Sequence, residues 1–179
     1  MDDDLQIIRR VLAGDVDSFR LLVQRHQRSL FSLVSNLVRD ATDRDDIAQE
    51  TFLAAYLHLG SYDPQRGKFV TWLLTIARNK CFNELKERRP LVMEVLPPKV
   101  DRTDPADRLL ERELFMQFDQ ALAALPFAQK TAFVLSEIEG LSHEEICQIE
   151  EVPLGTVKSR ISRAKEKLRS LLAYLPDTP

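Results

Sequence analysis

Cysteine is almost missing from this 179-residue chain: Cys81 and Cys147 stand far apart, and no CxxC pair occurs. That pattern excludes a disulfide framework and points to reduced thiols in a reducing compartment. Long apolar runs are missing too. The longest span only a few residues, such as Leu73 to Ala77, and the opening MDDDLQ is acidic rather than basic and apolar, so neither a signal peptide nor a transmembrane helix is expected and a cytoplasmic location is. Glycine is scarce, at 5 residues, and no alternating Val/Ile/Thr run suggests strands, so the composition predicts an all-α protein. A hydrophobic content of 44% is enough to build real cores.

What is there divides into two helical halves. Between them, RRPLVMEVLPPKVDRTDP carries Pro90, Pro97, Pro98 and Pro105 with no helical period, the pattern of an extended linker. The domains are therefore expected at residues 1–88 and 105–179, with the linker at 89–104. In the first half the pattern predicts helices over about 4–13, 17–38, 43–59 and from Phe69 to the basic run ending at Arg89. A capping box of Thr42 with Asp45 is expected to start the third. In the second half helices are expected over about 105–124, 128–139, 142–150 and 154–173, with Ser142 and Glu145 forming another capping box and Gly140 ending the helix before it.

The formal net charge is −3, yet VPLGTVKSRISRAKEKL near the end concentrates Lys and Arg on one helix. That helix follows the short helix HEEICQIE across a tight turn, the arrangement of a helix-turn-helix whose second helix enters the DNA major groove. Projection at about 100° per residue puts Val157, Ile161, Ala164, Leu168 and Leu171 on one stripe, the core face. The opposite face carries Ser159 and Ser162, with Lys158 and Arg163 beside them, where base edges are read. Thr156, Arg160 and Lys167 fall on a flank suited to phosphates. A charge run is more often a solvated face. Here the acids are segregated into residues 137–151 and the outward face is small and polar, which favours a groove-reading helix.

In the third helix Asp45, Gln49, Phe52 and Tyr56 share a face while Ile47, Thr51 and Ala54 share another, so one of them needs a partner or a second core. The fourth helix places Arg78, Asn79, Lys80 and Asn83 after the aromatic pair Phe69 and Trp72, a combination suited to single-stranded nucleic acid. Trp72 is equally at home in a core formed with Val70, Leu73, Leu74 and Ile76. Asn79 is the sharper candidate, because its amide both donates to and accepts from a base edge.

LSHEEICQIEEVPLGTVKSRISRAKEKLR resembles region four of bacterial sigma factors of the extracytoplasmic-function group. DRDDIAQETFLAAY and FVTWLLTIARNKCFNELKERRP resemble their region two. The resemblance implies a protein without enzymatic activity that binds RNA polymerase core, through the clamp helices of its largest subunit and its flap, and recognises minus-35 and minus-10 promoter elements. It assigns Asp45, Asp46, Gln49, Glu50 and Phe52 to core binding. Trp72, Arg78, Asn79, Lys80 and Asn83 go to the minus-10 element, and Thr156, Lys158, Ser159, Arg160, Ser162, Arg163 and Lys167 to the minus-35 element. The loop from Gly60 to Lys68 resembles the one that captures a flipped base. An anti-sigma partner is also implied, and no metal or cofactor.

Other readings are weaker. A transcription regulator without core binding would share the helix-turn-helix, but the first half shows no βα alternation. A nuclease built on Asp43, Asp45, Asp46 and Glu50 lacks a completed two-metal constellation. His143 and Cys147 have ligand spacing, yet two ligands do not make a site. Glu151 stands where many members of the family have glycine, so the turn is expected to be strained or differently built.

Overall fold

The computed structural model describes residues 3–87 and 106–173, the side chains of Glu87 and of 106–112 excepted. The linker expected at 89–104, with Arg88 and Arg89, lies outside them. Among the described residues all regular structure is helical: α1 (Asp3–Leu12), α2 (Phe19–Leu37), α3 (Ala41–Leu57), α4 (Phe69–Glu87), α5 (Ala106–Ala123), α6 (Phe127–Phe133), α7 (His143–Glu150) and α8 (Leu154–Leu172).

The helix starts follow side-chain chemistry. Asp15 accepts from the backbone N–H and hydroxyl of Ser18 and starts the single 3-10 turn that leads into α2. α3 corrects one expectation. Its N-cap is Asp40, whose carboxylate accepts from the N–H groups of Thr42 (2.9 Å) and Asp43 (3.2 Å), so Thr42 lies inside the first turn and the expected Thr42–Asp45 box does not form. Asp reaches the free N–H groups of a first turn as well as any residue, and here it does so three residues before the predicted start at Asp43. The Ser142–Glu145 box forms as expected, each side chain bonded to the other residue's backbone N–H. The helix expected over 128–139 ends sooner. It widens into a π turn, Val134–Ile138, closed by Glu139 N–H on the Val134 carbonyl and by left-handed Gly140 (φ 66°).

α2 buries Leu22, His26, Leu30, Leu33, Val34 and Leu37 at helical spacing. His26 and Asp4 meet at 2.8 Å, and Arg25 adds a second bond to the same carboxylate, which ties α1 to α2. One small core gathers Ile7, Ile8, Val11, Leu22, Leu59, Phe69 and Leu73. The main core does not respect the two halves. It runs from Leu30, Leu33, Leu37, Ile47, Leu74, Ala77 and Cys81 into Leu122, Phe133, Leu135, Ile146, Val157, Ile161 and Leu168. Truncating a fully buried leucine such as Leu33 or Leu135 to Ala costs about 2–5 kcal/mol. Lys130 of α6, itself buried, donates across the junction to the Leu37 carbonyl of α2 at 3.4 Å, and burial pulls its ammonium below the usual lysine range.

Candidate nucleic-acid interface

α7, the turn and α8 make a helix-turn-helix. Glu151 occupies the turn in the left-handed region (φ 53°, ψ 42°). The turn is therefore built as a glycine would build it, and Glu151 bears a strain of about 1 kcal/mol. Val157, Ile161, Ala164 and Leu168 are buried, while Leu171 is half-buried at the fraying end. Opposite them Lys158, Ser162, Arg163 and Lys167 are exposed, and Thr156 and Ser159 are half-buried. Beside this face Lys165 holds Glu137 at 2.9 Å, and that hydrogen bond keeps the Glu137 carboxyl below its ordinary range. Arg160 is turned the other way: its guanidinium pairs with the Glu150 carboxylate.

α4 is differently placed. Its flank lies on α7. Arg78 donates through Nε to Glu150 Oε1 at 3.2 Å, and through Nη1 to Asn79 Oδ1 at 2.9 Å. The same guanidinium lies over the rings of Phe82 and Phe127, 5.6 and 5.7 Å from their centroids, an arrangement that favours a desolvated cation. Asn79 and Asn83 are exposed. Lys80 pairs with Glu50 of α3 at 2.8 Å. Trp72 is half-buried and packs against Tyr62 and Phe69, so most of its ring serves the small core.

The predicted α3 face is present and open: Asp45, Asp46, Gln49 and Glu50 are exposed. Phe52 is half-buried and touches both cores. With Val16, Phe19, Val23, Leu53 and Tyr56 it lines an open apolar groove of about 630 Å³. Leu53, 57% exposed between that groove and the acidic row, is absent from the sequence prediction. Its signal was legible, an apolar residue one turn after Gln49. His143 and Cys147 are half-buried on α7, and among the described residues no third His, Cys, Asp or Glu completes a metal site with them. No described helix is long and apolar enough to cross a membrane.

Two family models match the chain: Sigma-70 region 2 over residues 22–90 and Sigma-70 region 4 over residues 115–168. The RNA polymerase sigma-H factor of Pseudomonas aeruginosa is 36% identical over 97% of this chain and 96% of its own length. The ECF RNA polymerase sigma factor SigW of Bacillus subtilis is 34% identical over 94% and 96%. Among solved structures, CnrH in complex with the cytosolic domain of CnrY superposes with a TM-score of 0.73 at 28% identity, over 99% of this chain and all of that one.

Proposed function

This chain belongs to the extracytoplasmic-function group of RNA polymerase sigma factors, and from that premise we propose how its surfaces divide the work of the family. As a sigma factor it binds polymerase core and directs initiation at specific promoters. The single observation that carries the division is the open face of α8: Lys158, Ser162, Arg163 and Lys167 are exposed on the side opposite the buried stripe of Val157, Ile161, Ala164 and Leu168.

In this reading the second half, residues 105–179, reads the minus-35 duplex. Lys158, Ser159, Ser162 and Arg163 address base edges, where bidentate and single contacts discriminate by about 1–3 kcal/mol each. Thr156 and Lys167 hold phosphates, which position the helix without reading sequence, and Arg160, turned to Glu150 here, joins them once that pair parts. The first half, residues 1–88, takes the minus-10 strand along α4 through Arg78, Asn79, Lys80 and Asn83, with Trp72 shaping the entrance. Asp45, Asp46, Gln49, Glu50 and Phe52, joined by Leu53, meet the clamp helices of polymerase. The chain performs no chemistry of its own, works in the cytoplasm where polymerase is, and is held in check by an anti-sigma partner, as CnrH is found with CnrY.

The test is reconstitution. Genomic fragments are selected with the chain plus polymerase core, and the most enriched fragment is transcribed in vitro. Initiation that requires this chain and a fixed pair of upstream elements is expected, and enrichment without a shared element would sink the assignment.

A further inference from the structure

Arg78, read above as a minus-10 contact, and the loop that resembles the one capturing a flipped base both lie against the same helix of the other half. Arg78 is bound by Glu150 at the end of α7. Lys68, closing the loop that follows Gly60, pairs with Glu145 of α7 at 2.9 Å. Gly67 of that loop is approached so closely that a Cβ there would stand 2.7 Å from Gln148 Oε1. A strand lying on this loop and on Arg78 would need the space that α7 fills.

Glu150 is the centre of the arrangement. Its side chain has no exposure, and its two oxygens are divided between Arg78 of α4 and Arg160 of α8. One arginine is a proposed minus-10 contact and the other a proposed minus-35 contact. A buried carboxylate is tolerated only when paired and hydrogen-bonded, and removing one cation leaves it uncompensated. Both arginines must therefore stay for Glu150 to stay buried. Withdrawing Arg78 toward DNA leaves a buried anion half satisfied, until α7 itself moves away from α4.

We propose that Glu150 is an interdomain latch, which closes the chain on itself in a form unable to hold a minus-10 strand. This rests on the reading of α4 and its preceding loop as the minus-10 element. The apparent affinity of a protein whose competent form is a minor population falls by that fraction, so the latch lowers strand binding without altering any DNA contact. Whatever opens the chain must supply more interaction with the separated halves than the latch loses.

The test fixes the closed form reversibly. Lys68→Cys and Gln148→Cys, both exposed positions across the junction, are introduced with Cys147→Ala and bridged by a cleavable bismaleimide. Cys81 can remain, because burial pushes its thiol up to about 12 and leaves almost no thiolate to react at neutral pH. Bridging is expected in the free chain. With polymerase core present, capture of the single strand of the selected promoter fragment should fall at least about tenfold on bridging, and return on cleavage. Adding Glu150→Gln, which keeps the shape and removes the charge, should slow bridging severalfold.

Equal strand capture by bridged and cleaved chains would overturn the latch, as would an unchanged bridging rate in Glu150→Gln or failure to bridge at all. If the unsubstituted chain with core captures no strand, the promoter reading falls and the latch falls with it. If only the bridged-against-cleaved difference is missing, the latch alone falls.

Discussion

α4 and α8 are the same length, 19 residues, and both carry cations along one side of an otherwise packed helix, yet most of those on α8 are open to solvent while Arg78 and Lys80 of α4 are paired. α8 turns Lys158, Arg163 and Lys167 to solvent. α4 spends Arg78 on Glu150 and two aromatic rings, and Lys80 on Glu50. The difference teaches that a basic helix does not declare its availability. Charge content is the same kind of signal in both, whereas availability is decided by which neighbour arrives: α8 meets α5, α6 and α7, and α4 meets α2, α3 and α7.

That contrast can be broken most forcefully on the open side. Lys158→Ala with Arg163→Ala should weaken minus-35 duplex binding by about 2–6 kcal/mol, at about 1–3 per lost base contact. Core binding should be unchanged, as measured by co-purification. Wild-type transcription from a selected promoter would show that the open face is not the reader.

A third face tests whether exposure alone marks function. Leu53→Asp, at an exposed position, should leave the thermal midpoint within a few degrees while costing core binding about 2 kcal/mol or more, the scale of an interface hot spot. Phe52→Ala is a poorer probe because Phe52 touches both cores. Undiminished affinity for core in a folded Leu53→Asp variant would remove the groove from the docking surface.

On the covered side the effect should be smaller and conditional. Asn79→Ala is expected to cost about 1–3 kcal/mol in strand opening, with initial duplex binding nearly intact. A template already mismatched through the minus-10 element should recover part of the loss, because the cost of unpairing is gone. Permanganate reactivity on both templates measures this, and normal opening on the intact duplex would leave Asn83 and Lys80 as the residues to examine next.

The smallest effect sharpens the open side again. Glu151→Gly relieves the left-handed strain in the turn and should raise stability by up to about 1 kcal/mol, offset in part by the entropy of glycine in the unfolded chain. Denaturant midpoints at equal slope decide it. A destabilised variant would mean that the Glu151 side chain contributes more than its backbone costs.

Much of the fold was legible in the sequence. Helical periodicity located each of the α-helices among the described residues, and the Ser142–Glu145 box and the Val157-to-Leu168 stripe are as read. The cap at Asp40 was missed because Thr42 offered a competing cap nearby. The π turn was missed because its residues continue an ordinary helical pattern, and the five-residue separation of its bond is fixed only by how the chain must end at Gly140. The docking of the halves was not legible for a different reason. Its contacts use Arg78, Lys68, Glu145 and Glu150, which in sequence read as a DNA contact, a loop residue, a cap and one of the acids gathered in 137–151. Each has a sufficient local explanation, so nothing in the pattern asks for a distant partner.

The main core that crosses from α2 and α4 into α6, α7 and α8 gives the closed chain a thermal character. Parting the halves wets apolar surface, and such exposure carries a positive heat capacity with little enthalpy near room temperature. The apolar share of the closure therefore weakens on cooling, while the ion pairs at the junction do not follow the same curve. Titration calorimetry of any partner that opens the chain, run at several temperatures, would register the parted core as a heat-capacity increment opposing the decrease from the new interface.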